Sequence, residues 1–289
     1  MNRSYLKYIT GLLLFGSNGI IASMIDMSSY EIVLLRTLIG SILLVILFLL
    51  GKGKISFFKH PGQFANLAVS GIAMGTSWMF LYEAYTRIGV SIASLLYYCG
   101  PVIVMALSPV LFKERLTYSK IIGFILVLIG VFCINGNAFE GNADTFGICC
   151  GLLSAVMYSL MVIFNKKAVG ITGLENASLQ LFISFLTVAV FVCFKQGLAI
   201  KIPSESILPI FILGLINTGI GCYFYFSSIG NLPVQTVAIC GYLEPLSAVL
   251  FSMLFLKEAM LPLQIVGAVL IWGGAIIGDV VKGKTKSSV

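Results

Sequence analysis

The residues PVQTVAICGYLEPLSAVLFSMLFLKE, from Pro233 to Glu258, decide the fold of this chain. Glu244 is the only charged residue before the last two positions of this run, and Pro245 follows it directly. A helix needs about 20 mostly apolar residues to cross the hydrocarbon core of a bilayer, and this run is long enough. Glu244 then lies about 15 Å from either end, near the bilayer midplane. Because a carboxylate at that depth is costly, we expect it to face a cavity or a polar partner.

The composition of the whole chain supports a membrane location. Of the 289 residues, 59% are hydrophobic and 10% are charged, and the mean hydropathy is +1.05. This apolar content far exceeds that of a soluble domain. The formal net charge is +7, but the basic residues stand in short clusters between apolar runs, which indicates membrane topology and no nucleic-acid partner. The seven cysteines show no metal-ligand spacing, so we expect neither a metal nor another cofactor.

Charge-poor runs of spanning length recur ten times along the chain and predict an all-α membrane protein. The predicted transmembrane helices are Tyr5–Ile25, Tyr30–Leu50, Gln63–Tyr85, Val90–Leu111, Tyr118–Asn135, Thr145–Lys166, Asn176–Phe194, Ile207–Ile229, Val234–Phe255 and Pro262–Val281. Gly230 to Pro233 supply the turn that separates the eighth helix from the ninth.

Lysine and arginine are concentrated in alternate connecting segments, which sets the predicted orientation. With a cytoplasmic amino terminus, most basic residues fall inside, as in cytoplasmic loops of membrane proteins. The segment Asn137–Asp144 carries two acidic residues and no basic one, and we expect it outside. The prediction is a multi-pass protein of the cell membrane with both termini in the cytoplasm.

An internal repeat predicts the architecture. A shift of 144 positions aligns the two halves without a gap across about fifty residues. The matched pairs are Phe80 with Phe224, Tyr98 with Tyr242, Pro101 with Pro245, Ser108 with Ser252, Lys113-Glu114 with Lys257-Glu258, Gly123 with Gly267, and Gly130 with Gly274. Each half holds five predicted helices, an odd number, so the second half enters the membrane from the opposite side. We therefore predict two inverted five-helix repeats, residues 1–136 and 145–281, and a cytoplasmic tail, 282–289, with a site where the repeats meet.

The run Gly241–Pro245, the Lys-Glu pairs at 113–114 and 257–258, Arg36 and the two matched halves resemble the drug/metabolite transporter superfamily. More narrowly, they are similar to its ten-helix EamA-type members. The resemblance implies a bundle in which the third, fourth, eighth and ninth helices enclose a central cavity. It also implies export of amino acids or similar metabolites, or of drugs. The first half has Gly100 where the second has Glu244, so the carboxylate acts once per molecule.

Polar and aromatic residues of the helices that would enclose this cavity are candidates for substrate binding. They are Trp78, Tyr82, Tyr97, Tyr98, Asn217, Tyr223, Tyr242 and Glu244. Such side chains suit a zwitterion or an organic cation, through hydroxyl groups and cation–π contacts. Interface belts and helix packing are the alternative explanation for the aromatic residues and for Asn217.

Glu244 is also the predicted coupling residue, because a lone carboxylate at the midplane can exchange a proton as the cavity opens to either side. Hydrogen bonding to a neighbouring helix is the structural alternative. Arg36 and Glu83 form an outer gate or contact a substrate carboxylate in one interpretation. In the other, Glu83 pairs with Arg87 at the surface and Arg36 bonds to carbonyl groups.

The leading hypothesis is a secondary transporter, not an enzyme, that exports a small polar metabolite by alternating access, with protons as an open coupling partner. The substrate alternative is an organic cation such as a choline-like amine or a drug. A hypothesis of another class is an intramembrane enzyme that uses Glu244 as acid or base, which the lack of a second catalytic group at that depth disfavours. The partners are a small molecule and the lipid bilayer, and the protein is a monomer or a homodimer.

Overall fold

The computed structural model describes residues 3–51, 55–135, 144–197, 200–256 and 262–280. Within these ranges the chain forms helices and turns and contains no strand. Large apolar side chains such as Val110 and Phe194 stand exposed on the outside, whereas Arg36, Gln180 and Gln235 are buried. An apolar outside around a partly polar interior is what a bilayer requires. The loop 137–143, the pair Lys257-Glu258 and the tail 282–289 lie outside the described residues.

Thirteen α-helices are described within these ranges. They are α1 (Arg3–Gly16), α2 (Asn18–Ala22), α3 (Ser29–Leu50), α4 (Pro61–Tyr97), α5 (Cys99–Phe112), α6 (Tyr118–Asn135), α7 (Thr145–Lys167), α8 (Gly173–Gln196), α9 (Ile207–Ile212), α10 (Gly221–Ile229), α11 (Val234–Gly241), α12 (Leu243–Leu256) and α13 (Pro262–Val280). A π-helical segment, Leu213–Ile220, joins α9 to α10. Single 3₁₀ turns lie at Phe57–Lys59 and Ser204–Ser206.

Seven helical segments of the described chain are long and apolar enough to cross a membrane. They are Ser29–Leu50, Pro61–Gly89, Ile92–Phe112, Thr145–Lys167, Gly173–Gln196, Ser204–Ile229 and Val234–Phe255. Shorter apolar helical stretches occur at Tyr118–Cys133 and Ile265–Gly278. The predicted all-α membrane protein is confirmed, while ten crossings stay a prediction.

Helix breaks occur at several positions. The first predicted helix is divided, since α1 ends at Gly16 and α2 begins at Asn18. The predicted boundary between the third and fourth helices is a kink in α4 at Gly89, whose φ of 79° is one that glycine adopts easily. Tyr98 separates α4 from α5, and Tyr242 separates α11 from α12. A proline follows each tyrosine by three positions, and its ring displaces the carbonyl group four residues earlier, which explains the two breaks.

Glycines bring α6 and α13 into close contact. A Cβ atom at Gly123 would lie 2.5 Å from the carbonyl oxygen of Gly274, and one at Gly130 would lie 2.6 Å from that of Gly267. Small residues permit such close helix approach in membranes, because the backbones can come together without side chains between them. Elsewhere α4 packs on α7 and α8, and α1 packs on α10 and α12.

Candidate functional site

A cavity of about 550 Å³ lies inside the bundle, and its lining extends to the exposed Ser23 in the connection from α2 to α3. It is lined by side chains of α1, α2, α3, α4, α7, α10 and α12. Its lining includes Phe15, Gly16, Ser23, Arg36, Trp78, Tyr82, Tyr85, Tyr97, Tyr98, Tyr158, Tyr225, Glu244 and Ala248. Its volume suits a small organic molecule.

Glu244 lies in the first turn of α12, two residues after the break at Tyr242. Its side chain lines the cavity and is half-buried. Its main-chain oxygen accepts a hydrogen bond from the Ser247 hydroxyl, whereas its carboxyl group makes no hydrogen bond or ion pair with any described residue. The amino-terminal end of a helix favours negative charge, so the break places the carboxyl group where the helix dipole stabilises it.

Arg36 projects from the middle of α3 and is only 5% exposed. Its Nε donates a hydrogen bond of 3.0 Å to the Thr218 hydroxyl, and its guanidinium carbon lies 4.7 Å from the centroid of the Trp78 ring. Arg36 and Glu244 line the same cavity and interact electrostatically, yet no ion pair joins them. The cavity lining thus carries one guanidinium group and one carboxyl group, and the two do not form an ion pair with each other.

Aromatic rings form the wall and the closed end of the cavity. Tyr82 and Tyr85 meet edge to face with centroids 5.2 Å apart, near the opening. At the closed end the Tyr97 and Tyr158 centroids are 5.3 Å apart, and the Tyr158 and Tyr225 hydroxyl groups are 3.3 Å apart. These rings offer cation–π faces and hydroxyl groups to a bound molecule.

Beyond the closed end, α11 is buried along its whole length. The carboxylate of Glu114, in the α5–α6 connection, accepts hydrogen bonds from the main-chain nitrogens of Val234 at 2.7 Å and Gln235 at 3.1 Å. Lys120 donates to Gln235 Oε1 at 2.6 Å, and Gln235 donates to Ser108 Oγ at 2.9 Å. The amino terminus of α11 is therefore fixed to the other half of the chain.

Lys166, at the end of α7, fixes the turn before α11. Its Nζ donates to the carbonyl oxygens of Ile229 at 3.0 Å, Gly230 at 3.3 Å and Leu232. A lysine beside the last carbonyl groups of a helix is favourable, because the helix dipole is negative there. Lys166 and Glu114 together hold the α10–α11 turn and seal this end of the bundle.

Six of the sequence-predicted site residues meet at the cavity, and four do not. Arg36, Trp78, Tyr82, Tyr97, Tyr98 and Glu244 line it. Asn217 instead donates hydrogen bonds to the Leu14 carbonyl and the Ser17 hydroxyl, both at 2.8 Å. It therefore satisfies acceptors at the break between α1 and α2. The assignment of these residues to substrate binding stays a prediction, and for Asn217 the protein contacts supply a structural role.

Tyr223, Tyr242 and Glu83 also lie outside the lining. The Lys7 ammonium group is 4.9 Å from the Tyr223 ring centroid, and Tyr242 is fully buried. Glu83 forms ion pairs with Arg87 at 2.9 Å and Lys195 at 2.7 Å, so the predicted Glu83–Arg87 pair is present.

The Glu83 cluster forms a charged network outside the cavity. Tyr30 donates a hydrogen bond to the Glu83 carboxylate, and Arg87 reaches Asp144, the N-cap of α7, at 3.0 Å. The hydrogen bond from Arg87 holds the pKa of Asp144 below its usual range. This network ties α3, α4, α7 and α8 together at the end of the bundle where the cavity opens.

Sequence reasoning missed the contribution of the first and sixth predicted helices to the cavity. Phe15 and Gly16 of α1, and Tyr158 of α7, line it together with residues of the third, fourth, eighth and ninth predicted helices. The weak match of Phe15-Gly16-Ser17 with Met157-Tyr158-Ser159 was a signal for these positions, since equivalent positions of two repeats face one axis. Among the residues that the structure describes, no group of three or more His, Cys, Asp or Glu side chains could hold a metal ion.

Comparison with known proteins identifies related chains. The model of the EamA-like transporter family matches residues 2–136 and, again, residues 145–277. A Bacillus subtilis protein named as the uncharacterized transporter YxxF is 24% identical, with 98% of this chain and 91% of that protein covered. An uncharacterized transporter of Clostridium kluyveri is 25% identical over 96% of this chain and 93% of its own length. A crystal structure of another protein aligns with a TM-score of 0.82 at 17% identity, covering 95% of this chain and 97% of that one, which shows likeness of fold.

Proposed function

This chain belongs to the EamA-like transporter family, and from that premise we propose that it is a secondary active transporter that exports amino acids or similar small metabolites by alternating access. It is a multi-pass membrane protein with a small-molecule substrate, as its helices and its family imply. The proposal adds the direction, the substrate class and the mechanism. It places the protein in the cell membrane with both termini in the cytoplasm.

One observation carries the mechanism: the cavity lining includes the exposed Ser23 at one end of the bundle and the buried Tyr158 and Tyr225 at the other. The open end lies beside the α2–α3 connection, and the sealed end lies behind Tyr158, Tyr225 and the buried helix α11. A transporter must close one side of its site while the other is open. In the proposed orientation the α2–α3 connection is outside, so this conformation is open to the outside.

Contacts between the halves support the inverted repeat. Gly123 packs on Gly274 and Gly130 packs on Gly267, while the shift of 144 positions equates Gly123 with Gly267 and Gly130 with Gly274. Exchanging the halves therefore turns one contact into the other, as a two-fold axis between α6 and α13 would do. We propose repeats at residues 1–136 and 145–281 on this basis.

At the cavity, a second pair of contacts is also interchanged when the two halves of the chain are exchanged. A Cβ atom at Gly100 would lie 2.6 Å from Tyr158 Cδ1, and one at Gly16 would lie 2.9 Å from the carbonyl oxygen of Glu244. Gly100 aligns with Glu244 by the shift of 144 positions, and Gly16 aligns with Tyr158 after a slip of two residues. In both contacts a glycine of the first half faces a larger residue of the second, and Glu244 lies near the proposed axis, where inverted-repeat transporters bind substrate.

The charges of the lining favour a zwitterion over a simple cation. Glu244 and the aromatic rings suit an amine, but Arg36 on the same cavity would repel a substrate that carries positive charge alone. An α-amino acid offers an ammonium group to Glu244 and a carboxylate to Arg36. The organic-cation alternative predicts instead that amines compete better than amino acids.

Counterflow in proteoliposomes tests the proposal. Vesicles that contain the purified protein are loaded with an unlabelled amino acid and diluted into trace labelled amino acid of the same kind, for each of the twenty amino acids and for choline. We expect protein-dependent accumulation of at least one amino acid above empty vesicles. Conversion of a substrate without its movement across the membrane would favour the intramembrane enzyme and overturn the transporter proposal.

A further inference from the structure

We propose that Arg36 binds the carboxylate of the substrate and that Thr218, within the π-helical segment, is the positioning residue that aims its guanidinium group. The inference rests on the proposed transport of zwitterions and names the group that recognises the acidic end. Thr218 is fully buried and does not line the cavity, so it acts through Arg36.

The terminal nitrogens of Arg36 are available to a ligand. Of the hydrogen bonds between described side chains, one holds Arg36, through Nε to Thr218 Oγ1 at 3.0 Å. The Trp78 ring supports one face of the guanidinium group at 4.7 Å. Because Arg36 lines the cavity, both Nη groups remain for a planar, two-oxygen partner, and a carboxylate matches that fork by two parallel hydrogen bonds.

Arg36 and Glu244 both line the cavity, and no ion pair of the described residues joins them. A zwitterion can therefore contact both groups at once, its carboxylate at Arg36 and its ammonium group at Glu244. A molecule with a carboxylate and an ammonium group meets both, whereas an amine leaves Arg36 unsatisfied.

The π-helical segment determines how Thr218 holds Arg36. The Thr218 hydroxyl donates to the carbonyl oxygen of Leu213, five residues earlier, at 2.8 Å. With its proton committed there, the oxygen presents its lone pairs to Arg36 Nε, which must donate. π-helical turns are rare and often mark functional sites, and here the segment Leu213–Ile220 places the hydroxyl group against the middle of α3.

The neighbouring residue keeps this segment in register. Asn217 donates from the same segment to Leu14 and Ser17 at the break between α1 and α2, which itself lines the cavity opening. The π-helical segment is therefore held from the side of α1 as well as by Thr218. Because Thr218 belongs to this segment, the segment restrains movement of the Arg36 guanidinium group relative to the cavity.

The test compares three probes that share one ring and differ in charge: L-phenylalanine, 2-phenylethylamine, which lacks the carboxylate, and 3-phenylpropionate, which lacks the amine. Their dissociation constants are measured by calorimetry on the purified full chain. Thr218→Val removes the hydroxyl group at nearly constant shape, Thr218→Ser keeps it, and Arg36→Lys keeps the charge without the fork. Folded yield and thermal unfolding are recorded for every variant.

We expect the wild type to bind phenylalanine at least about tenfold more tightly than phenylethylamine, since hydrogen bonds to charged groups are among the stronger ones in proteins. Thr218→Val should remove most of this preference and leave the affinity for phenylethylamine within about twofold, and Arg36→Lys should remove the preference as well. Thr218→Ser should retain it. Equal losses for both probes would show that Thr218 is only structural and would overturn the inference, as would absence of binding by all three probes in the wild type.

Failure of this inference differs from failure of the proposed function. If the protein catalyses counterflow of phenylethylamine and phenylalanine does not compete with it, the protein is a transporter, but Arg36 does not bind a substrate carboxylate. Absence of counterflow for any zwitterion or amine would instead refute the transporter itself. 3-Phenylpropionate provides a direct test of the carboxylate contact. If Arg36→Lys abolishes its binding and Glu244→Gln does not, the substrate carboxylate is assigned to Arg36.

Discussion

The hydroxyl group of Tyr242 donates a hydrogen bond of 2.7 Å to the main-chain carbonyl oxygen of Tyr98. Tyr98 separates α4 from α5, and Tyr242 separates α11 from α12, so the bond joins the two places where helices break near prolines. The two residues stand 144 positions apart, the same shift that aligns the halves of the chain. A contact between equivalent positions lies close to the axis that relates two repeats.

We predict that Tyr242→Phe destabilises the protein by about 1–2 kcal/mol, because the buried Tyr98 carbonyl loses a donor while the packing of the ring is kept. The measurement is the unfolding transition of the purified protein in detergent. Tyr118→Phe is the matched control, since Tyr118 is 86% exposed. Equal transitions for the two variants would mean that the bond between the breaks contributes nothing.

The contact between α6 and α13 is predicted to tolerate no added methyl group. Gly123→Ala places Cβ 2.5 Å from a carbonyl oxygen, and such overpacking costs about 1–3 kcal/mol. Gly273→Ala on α13 is the control, because nothing lies within 4 Å of the Cβ that it adds. Thermal unfolding of both variants measures the difference, and a Gly123 variant as stable as the control would contradict the close packing.

Much of this structure follows from local features of the sequence. Apolar runs and their length predict a membrane protein of helices, and the isolation of Glu244 predicts a polar cavity around it, because a carboxylate in hydrocarbon is costly. Pro101 and Pro245 mark the helix breaks within a few residues, since the effect of proline is confined to one turn. Tyr97 stands next to the first of these two breaks and lines the cavity, while Trp78 lines it from the third predicted helix, which the family resemblance places at the cavity.

Other features depend on contacts between distant segments, and no local pattern specifies them. No pattern in the sequence around Thr218 predicts a π-helical segment. The hydrogen bond between Arg36 and Thr218 joins residues 182 positions apart. Asn217 and Tyr242 are polar residues in apolar runs, as Glu244 is, yet protein groups accept their hydrogen bonds, whereas the Glu244 carboxyl group has no hydrogen-bond partner among the described residues. Whether a buried polar side chain meets the protein or the cavity is determined by tertiary packing.

We predict that Lys166→Met weakens the seal at the closed end and raises the population that is open to the cytoplasm. Hydrogen bonds from a charged group contribute about 1.5–3 kcal/mol, so loss of the bonds to the α10–α11 turn should shift the equilibrium by about tenfold. Lys167→Met, at an exposed neighbouring position, is the control.

The readout for the seal is a single cysteine at Ala248, which lines the cavity one turn after Glu244, in a background without the native cysteines. An impermeant thiol reagent is added to the outside of intact cells. Labelling should become slower with Lys166→Met, by at most about tenfold, and stay unchanged with Lys167→Met. Identical rates in both variants would show that Lys166 does not stabilise this conformation.

The proposed topology predicts that the segment 137–144 is outside the cell. A cysteine at Asn142 in the same background should therefore react with the impermeant reagent in intact cells, since the segment carries no basic residue to retain it inside. A cysteine in the tail, at Ser287, should react only after the membrane is permeabilised. Exchange of the two results would reverse the orientation, whereas protection of both cysteines in intact cells would contradict the inverted repeat, which requires the two segments on opposite sides of the membrane.

Glu244 is predicted to couple proton entry to substrate export. Its carboxyl group lines the cavity without a hydrogen-bond partner among the described residues, so it can exchange a proton with whichever side the cavity faces. A proton and the ammonium group of a substrate would compete for the same oxygens, which makes inward movement of one drive outward movement of the other. Glu244→Gln keeps the shape and removes the exchange.

Proteoliposomes that contain Glu244→Gln should therefore lose accumulation driven by a pH gradient while keeping part of the counterflow of a zwitterion, whose carboxylate Arg36 still meets. Glu205→Gln, at an exposed position, should retain both activities. If the substrate is a simple cation, Glu244→Gln should abolish counterflow as well, because no other carboxyl group lines the cavity in the described ranges. Gradient-driven transport at the wild-type rate and with the wild-type pH dependence would show that the carboxylate is structural and that coupling resides elsewhere.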